Sequence, residues 1–95
     1  PGNHILPKKG VYCVNVKFRG NFYKGVANFG ERPTVNGVNL LLETHIFEFT
    51  KNIYGKELTV EFLTFIRPEK KFKDFKSLTN QIKKDVIKAK KYHKI

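Results

Sequence analysis

The chain has 95 residues, 40% of them hydrophobic, which is enough for one domain with a single core. It lacks the roughly 18 consecutive apolar residues of a membrane-spanning helix, and no secretory signal is visible at the N-terminus. A single cysteine, Cys13, excludes an internal disulfide and favours a reducing cytosol, so we expect a cytoplasmic protein.

The net charge is +11, and most of the excess lies near the C-terminus. Residues 67–95 contain eleven basic and three acidic side chains, and only three of the nineteen basic residues in the chain are arginine. A basic surface attracts nucleic acid or anionic small molecules, and it can equally be the solvated face of a lysine-rich helix. Because arginine is scarce, the pattern argues against base readout, and nucleic-acid binding is not expected.

The first predicted elements form a β-hairpin. Apolar and polar residues alternate between Val11 and Phe18, which predicts a half-buried strand. Arg19-Gly20-Asn21 predicts a tight turn because glycine adopts positive φ without steric cost. A return strand is then predicted from Phe22 to Phe29. Cys13 lies within the first strand and is interpreted as core or sheet filler rather than as a catalytic thiol.

The next segment predicts a break in the sheet, followed by a strand that contains a carboxylate. Phe29–Gly37 has two glycines and a proline, which predicts a structured loop. Leu40–Phe49 predicts a buried strand with apolar residues on both faces. Glu43 lies near its centre, where a carboxylate must be paired, neutralised or used in chemistry. The pattern leaves open whether Glu43 is a general base, a metal ligand or a strand residue that faces solvent or pairs with lysine.

Two further elements complete the predicted order. Residues 57–66 alternate again and predict a fourth strand, with one side formed by Leu58, Val60, Phe62 and Ile66. Four strands with short connections favour an antiparallel meander or barrel. Asp74 then predicts the N-cap of an amphipathic helix, whose inner face carries Leu78, Ile82, Val86 and Ala89.

The segment between the last strand and the helix, Arg67-Pro68-Glu69-Lys70-Lys71-Phe72, predicts a rigid turn. Arg67 and Lys70 could hold an anion while Phe72 stacks on a ring. Alternatively, the segment is a salt-bridged turn with Phe72 anchored in the core. Tyr54 could be a turn aromatic or a wall of a ring-binding slot, and Arg32-Pro33-Thr34 could face a phosphate or be a plain loop. The sequence has neither a glycine-rich nucleotide loop nor a Cys/His cluster at zinc spacing.

Five motifs occur in order along nearly the whole chain: Gly10-Val11-Tyr12, Gly25–Thr34, Glu43–Phe49, Tyr54-Gly55 and Arg67–Phe72. With Leu78, Gln81-Ile82, Asp85 and Ala89 in the helix, they resemble the riboflavin kinase (flavokinase) domain, especially the bacterial form fused to an FMN adenylyltransferase domain. Residues 1–95 are therefore interpreted as a single riboflavin kinase-like domain. The resemblance implies a mostly β fold, a six-stranded antiparallel Greek-key barrel with a C-terminal helix.

The resemblance also implies an activity, the transfer of the γ-phosphoryl group of ATP to the ribityl 5′-hydroxyl of riboflavin, giving FMN and ADP with Mg²⁺. It implies that Glu43 takes the hydroxyl proton. Ile46, Glu48 and Tyr54 would border the adenine nucleotide. Arg67, Lys70 and Phe72 would border the flavin. Phosphoryl transfer depends mainly on positioning and charge neutralisation, so one oriented carboxylate and a metal can suffice.

The sequence departs from the family pattern before Gly10. Family members carry a glycine-rich turn and a Phe-Pro-Thr-Ala-Asn motif there, whose Thr and Asn hold Mg²⁺ and nucleotide phosphate. Residues 1–9 lack this motif, so we expect it and an adenylyltransferase domain upstream, and little or no kinase activity from the 95 residues alone. Two alternatives are left open: a non-enzymatic basic barrel that binds single-stranded nucleic acid, and a flavin or nucleotide sensor without catalysis.

Overall fold

A computed structural model describes residues 7–49 and 56–95 as an antiparallel sheet with a helix packed on one face. The strands are β1 (Gly10–Phe18), β2 (Asn21–Thr34), β3 (Gly37–Ile46) and β4 (Thr59–Pro68), and the helix α1 spans Phe75–His93. The order across the sheet is β3-β2-β1-β4. In this order β1, β2 and β3 follow one another as neighbours, and β4 returns to lie beside β1. This is the strand order of a Greek key.

The predicted mostly β fold with a C-terminal helix is confirmed, but the six-stranded barrel is not. Over the two described ranges the sheet has four strands and is open, with β3 and β4 at its edges. Among the described residues β3 and β4 do not pair with each other, so the sheet is not closed.

The predicted β1–β2 hairpin is confirmed. β1 pairs with β2 along its whole length, and Arg19 and Gly20 form the two-residue turn with φ values of 50° and 81°. Positive φ at both positions matches the right-handed twist of a hairpin. The face of the sheet away from the helix carries the larger buried cluster, which consists of Tyr12, Val14, Val16, Ala27, Phe29 and Ile46.

The prediction of a loop at Phe29–Gly37 is wrong. β2 continues to Thr34 and pairs with β3 around a two-residue turn, so the segment is a second hairpin. Pro33 is tolerated because β1 begins opposite Phe29, and beyond that point the described residues give β2 a neighbour on one side only. Residues 31–40 are exposed, so the hairpin extends past the core.

The strict alternation predicted for the fourth strand is also wrong, because β4 contains irregularities. Its register with β1 shifts twice. An extra residue in one strand turns the side chains that follow it to the other face. Leu58, Val60 and Phe62 pack on the larger cluster as predicted, whereas Ile66 packs on the helix side of the sheet, as does Leu63.

The helix begins at the predicted cap, where the Asp74 carboxylate accepts a hydrogen bond from the backbone N–H of Ser77 at 2.8 Å. Its C-terminal half packs on the sheet, and the Cys13 thiol donates to the carbonyl oxygen of Ala89 at 3.6 Å. Burial raises the pKa of Cys13, in line with its interpretation as sheet filler. No helix in the described ranges has the length and hydropathy needed to cross a membrane.

Gly10 permits a close approach between β1 and the end of β4. Its φ is 151°, and a Cβ there would collide with the carbonyl oxygen of Arg67 and lie 2.7 Å from the ring of Phe65. Gly10→Ala should lower the free energy of unfolding by about 1–3 kcal/mol more than a control substitution does, as measured by urea denaturation. Gly37→Ala is the control, since Gly37 has a φ of 142° and no neighbouring atom within 4 Å. Equal losses would contradict the steric argument.

The Asp74 cap should make the start of the helix sensitive to acid. The hydrogen bond from the backbone N–H of Ser77 lowers the pKa of Asp74 below its usual 3.8. Because the folded pKa lies below the unfolded one, the stabilisation is complete above about pH 4 and is lost as the pH falls through the folded pKa. Asp74→Ala should therefore have a lower melting temperature than the wild type at neutral pH, and the difference should shrink below pH 3.8. A deficit that does not change with pH would contradict the assignment.

Candidate functional site

A cavity of about 550 Å³ lies between the sheet and the N-terminal half of α1. Its floor is the helix-facing side of β2 and β3, and its walls come from the end of β4, the segment that follows β4, and α1. The residues lining it that have polar, charged or aromatic side chains are Asn28, Arg32, Glu43, Thr44, His45, Arg67, Lys70, Phe72 and Asp85. Leu78 and Ile82 line it from the helix.

Glu43 lies on β3 directly opposite Asn28 of β2 and lines this cavity. The prediction that the strand around it is buried is wrong, because β3 is an edge strand and the Glu43 side chain is 62% exposed. Its Oε1 atom lies 3.7 Å from Nη2 of Arg32. The carboxylate is therefore accessible both to solvent and to a ligand in the cavity.

Arg67 is held by a buried carboxylate on the helix. Its Nε and Nη2 atoms donate to the two oxygens of Asp85, each at 2.8 Å, and Asp85 is 4% exposed. Gln81 donates a further hydrogen bond to Asp85 at 3.0 Å. The positive charge of Arg67 is thus matched within the protein, so Arg67 does not act as a free cation. Sequence analysis did not pair these residues, which lie 18 positions apart.

Lys70 and Phe72 form an aromatic and cationic wall of the cavity. The Phe72 ring is partly buried, with Nζ of Lys70 5.6 Å and the guanidinium carbon of Arg67 5.8 Å from its centroid. Cations near the face of a ring are attracted by its quadrupole. A partly exposed ring in this position can stack on a planar ligand.

Glu69 ties this wall to β2. Its carboxylate lies over Gly30, where a Cβ would collide with it, and Oε1 accepts a hydrogen bond from the backbone N–H of Glu31 at 3.3 Å. Lys9 forms an ion pair with Glu31 on the same edge. Because Gly30 has no side chain, the Glu69 carboxylate can lie directly over β2, and the neighbouring Lys70 lines the cavity.

The residues predicted to border the nucleotide do not line this cavity within the described ranges. Ile46 is 8% exposed and packs in the core on the opposite face, as strand alternation from Glu43 already requires. Glu48 is exposed in the turn after β3, with a φ of 54°. Tyr54 lies outside the described residues. The structure brings together Glu43, Arg67, Lys70 and Phe72.

Sequence analysis missed two residues of the cavity floor. The sequence gives Asn28 no role, and it offers Arg32 only as part of a loop that could face a phosphate, without placing it beside Glu43. Every second residue of a strand lies on the same face, so residues 28, 30 and 32 of β2 all lie on the face that lines the cavity. The motif Gly25–Thr34 contained both residues, but without the pairing of β2 with β3 it gave no reason to place them beside Glu43.

The cavity does not supply a metal site from its own side chains. In the part of the chain that the structure describes, no group of three or more His, Cys, Asp or Glu residues could hold a metal ion. Of the two carboxylates in the cavity, Asp85 is bound by Arg67, which leaves Glu43 as a single carboxylate. Mg²⁺ in phosphoryl-transfer sites is commonly held by one or two carboxylates together with substrate phosphates and water, so these side chains do not by themselves define its ligands.

Comparison with known proteins decides the family. The model of the riboflavin kinase family (Flavokinase) matches residues 1–93. The chain belongs to the riboflavin kinase family. A bifunctional riboflavin kinase/FMN adenylyltransferase of Haemophilus influenzae is 52% identical over 89 residues, covering 93% of this chain and 29% of that protein. The Bacillus subtilis protein with the same description is 37% identical over 93 residues, covering 95% of the chain and 29% of that protein.

Two further relatives support the family and the fold. The RNA-binding riboflavin kinase RibR of Bacillus subtilis is 43% identical over 81 residues, covering 83% of the chain and 35% of that protein. A crystal structure from Streptococcus pneumoniae, described as a macrolide-efflux protein, superposes with a TM-score of 0.77 at 34% identity, covering 85% of this chain and 27% of that one. The riboflavin kinase-like chain thus spans about a third or less of the length of these proteins.

Breaking the Arg67–Asp85 pair should lower the free energy of unfolding far more than breaking the exposed Arg32–Glu43 pair. Arg67→Ala leaves a buried carboxylate without its partner, so the free energy of unfolding should fall by about 3–5 kcal/mol in urea denaturation. Arg32→Ala is the matched control, because the Arg32 side chain is 63% exposed. Its loss should not exceed about 1 kcal/mol. Similar losses in the two variants would contradict the structural role of Arg67.

Proposed function

We propose that this chain is the domain that phosphorylates riboflavin with ATP to give FMN. The observation that carries the proposal is the shared cavity, in which the accessible carboxylate of Glu43 faces the same space as Phe72 and Lys70. Family membership supports riboflavin and ATP as substrates, together with a divalent metal, which we take to be Mg²⁺.

The geometry of the cavity suggests how riboflavin lies in it. The flavin ring stacks on Phe72, with Lys70 and the paired Arg67 at its edge. The ribityl chain then crosses the floor formed by β2 and β3 and ends at Glu43. This orientation places the polar chain over polar side chains and the flat ring against the aromatic wall.

Glu43 acts as the general base in this proposal. Its carboxylate accepts the proton of the 5′-hydroxyl while the hydroxyl oxygen forms a bond to the γ-phosphorus of ATP. The bond from that phosphorus to the β–γ bridging oxygen breaks, and ADP leaves with the electron pair. Arg32, 3.7 Å from Glu43, orients the carboxylate and adds positive charge on the side where the phosphates approach.

The nucleotide side of the proposal rests on the family resemblance. Ile46, Glu48 and Tyr54 are proposed to border the adenine nucleotide where β3 ends. Ile46 would contribute its backbone, because its side chain is buried in the core. The relatives named bifunctional favour a protein that also carries an FMN adenylyltransferase domain.

Glu43→Gln tests the proposed base directly. In the gene product that contains this chain, the substitution should lower the rate of FMN formation by about 10²–10⁴-fold, because the amide cannot accept the proton. Riboflavin binding, followed by quenching of flavin fluorescence, should persist. Glu57→Gln is the control, since Glu57 is exposed and lies ahead of β4. FMN formation at the wild-type rate by the Glu43 variant would overturn the assignment.

The outward face of α1 favours a second candidate function, binding of single-stranded nucleic acid. That face exposes Lys83, Lys84, Lys88, Lys90 and Lys91, and one relative is named RNA-binding. Fluorescence anisotropy with a labelled oligonucleotide separates the two functions. A nucleic-acid binder should lose affinity steeply with added salt and after Lys84→Glu, but not after Glu43→Gln. Because that relative is named both RNA-binding and riboflavin kinase, such binding would add a second function and would not contradict the kinase proposal.

A further inference from the structure

Asn28 occupies the centre of the cavity floor. It lies on β2, a strand with neighbours on both sides at this position, and it pairs in register with Glu43 of β3. Directly opposed residues in an antiparallel pair have Cβ atoms about 5 Å apart. A ligand group that reaches Glu43 from within the cavity therefore passes beside the Asn28 amide.

The Asn28 amide has an unused hydrogen-bonding group. Its Oδ1 atom is buried and accepts no hydrogen bond from any residue that the structure describes. A buried acceptor without a donor costs roughly 1–3 kcal/mol, so such groups are rare in folded proteins. Because no hydrogen bond fixes this oxygen, rotation about the Cβ–Cγ bond can turn it towards the cavity at little cost.

The neighbouring groups indicate what the amide would meet. Phe72 and Lys70 lie on the wall, where the proposed function places the flavin ring, and Glu43 marks the position of the terminal hydroxyl. Between these two points lie the secondary hydroxyls of the ribityl chain. A hydroxyl donates and accepts, and a primary amide does both as well, so the two groups are complementary.

We infer that Asn28 is a substrate-positioning residue that hydrogen-bonds a secondary ribityl hydroxyl and so holds the terminal hydroxyl at Glu43. This inference rests on the proposed function and deepens it. It assigns recognition of the sugar-alcohol chain to β2, separately from recognition of the ring by Phe72. It also gives the unpartnered Oδ1 atom a partner that is present only when substrate is bound.

The test compares two flavins that share a ring. Lumiflavin carries a methyl group in place of the ribityl chain, so it can meet Phe72 but has no hydroxyl for Asn28. Asn28→Ala should weaken riboflavin binding by about tenfold, the equivalent of one hydrogen bond, and leave lumiflavin binding unchanged in fluorescence quenching. Asn15→Ala is the matched control, because the Asn15 amide bonds Glu61 outside the cavity, and both affinities should stay at wild-type values.

Stability supplies a second readout. Removing a buried acceptor that has no partner should leave the melting temperature of the ligand-free protein unchanged or raise it, whereas removal of a structural amide lowers it. Asn28→Ser, which keeps a small hydrogen-bonding group, should recover part of the riboflavin affinity. If Asn28→Ala binds riboflavin as tightly as the wild type, or loses the same factor of affinity for both flavins, the role of Asn28 is overturned. The proposed function is not affected by either result. Failure of the wild type to bind riboflavin would instead overturn the proposed function, and this inference with it.

Discussion

The bidentate ion pair between Arg67 and Asp85 joins the helix to the sheet at the point where the cavity begins. The C-terminal half of α1 packs directly on the sheet through Ala89 and Val86, and His93 reaches the carbonyl oxygen of Val14 at 2.9 Å. Towards the N-terminus, the helix instead lines a cavity. A hydrophobic pair of similar volume could hold the two elements at least as firmly. It would not place a guanidinium beside Phe72 in the wall of the cavity.

The two faces of the sheet carry different residues, because successive side chains along a strand point to opposite faces. On one face the rings of Tyr12 and Phe62 stack with centroids 4.5 Å apart within the larger core. On the other face, Asn28, Arg32 and Glu43 line the cavity, with Arg32 on the part of β2 that extends past the core.

Sequence patterns predicted the elements that depend on local chemistry. The first hairpin followed from Gly20, and the start of the helix followed from Asp74, because a turn glycine and an N-cap act within a few residues. The patterns failed where pairing between strands decides the outcome. Pro33 can lie in a strand because, in residues 7–49 and 56–95, β2 pairs on one side only at that position. Ile66 changes face because the register of β4 shifts. Neither effect is visible in one segment alone.

The sequence also predicts part of the candidate site, but not the contacts that depend on distant segments. The motif resemblance selected Glu43, Arg67, Lys70 and Phe72, which the structure brings to one cavity. Glu43 was singled out on the argument that it was buried, yet its side chain is largely exposed because β3 is an edge strand. The partner of Arg67 and the position of Asn28 depend on contacts between distant segments, so they required the folded chain.

The proposed function requires riboflavin to occupy the space between the β2–β3 floor and the N-terminal half of α1. Two-dimensional NMR of the isotopically labelled chain, titrated with riboflavin, detects this occupancy residue by residue. The backbone signals of Asn28, Glu43 and Phe72 should shift together and saturate, while that of Lys88 on the outer face of the helix should stay in place. Shifts confined to the outer face of the helix, or none at all, would contradict it.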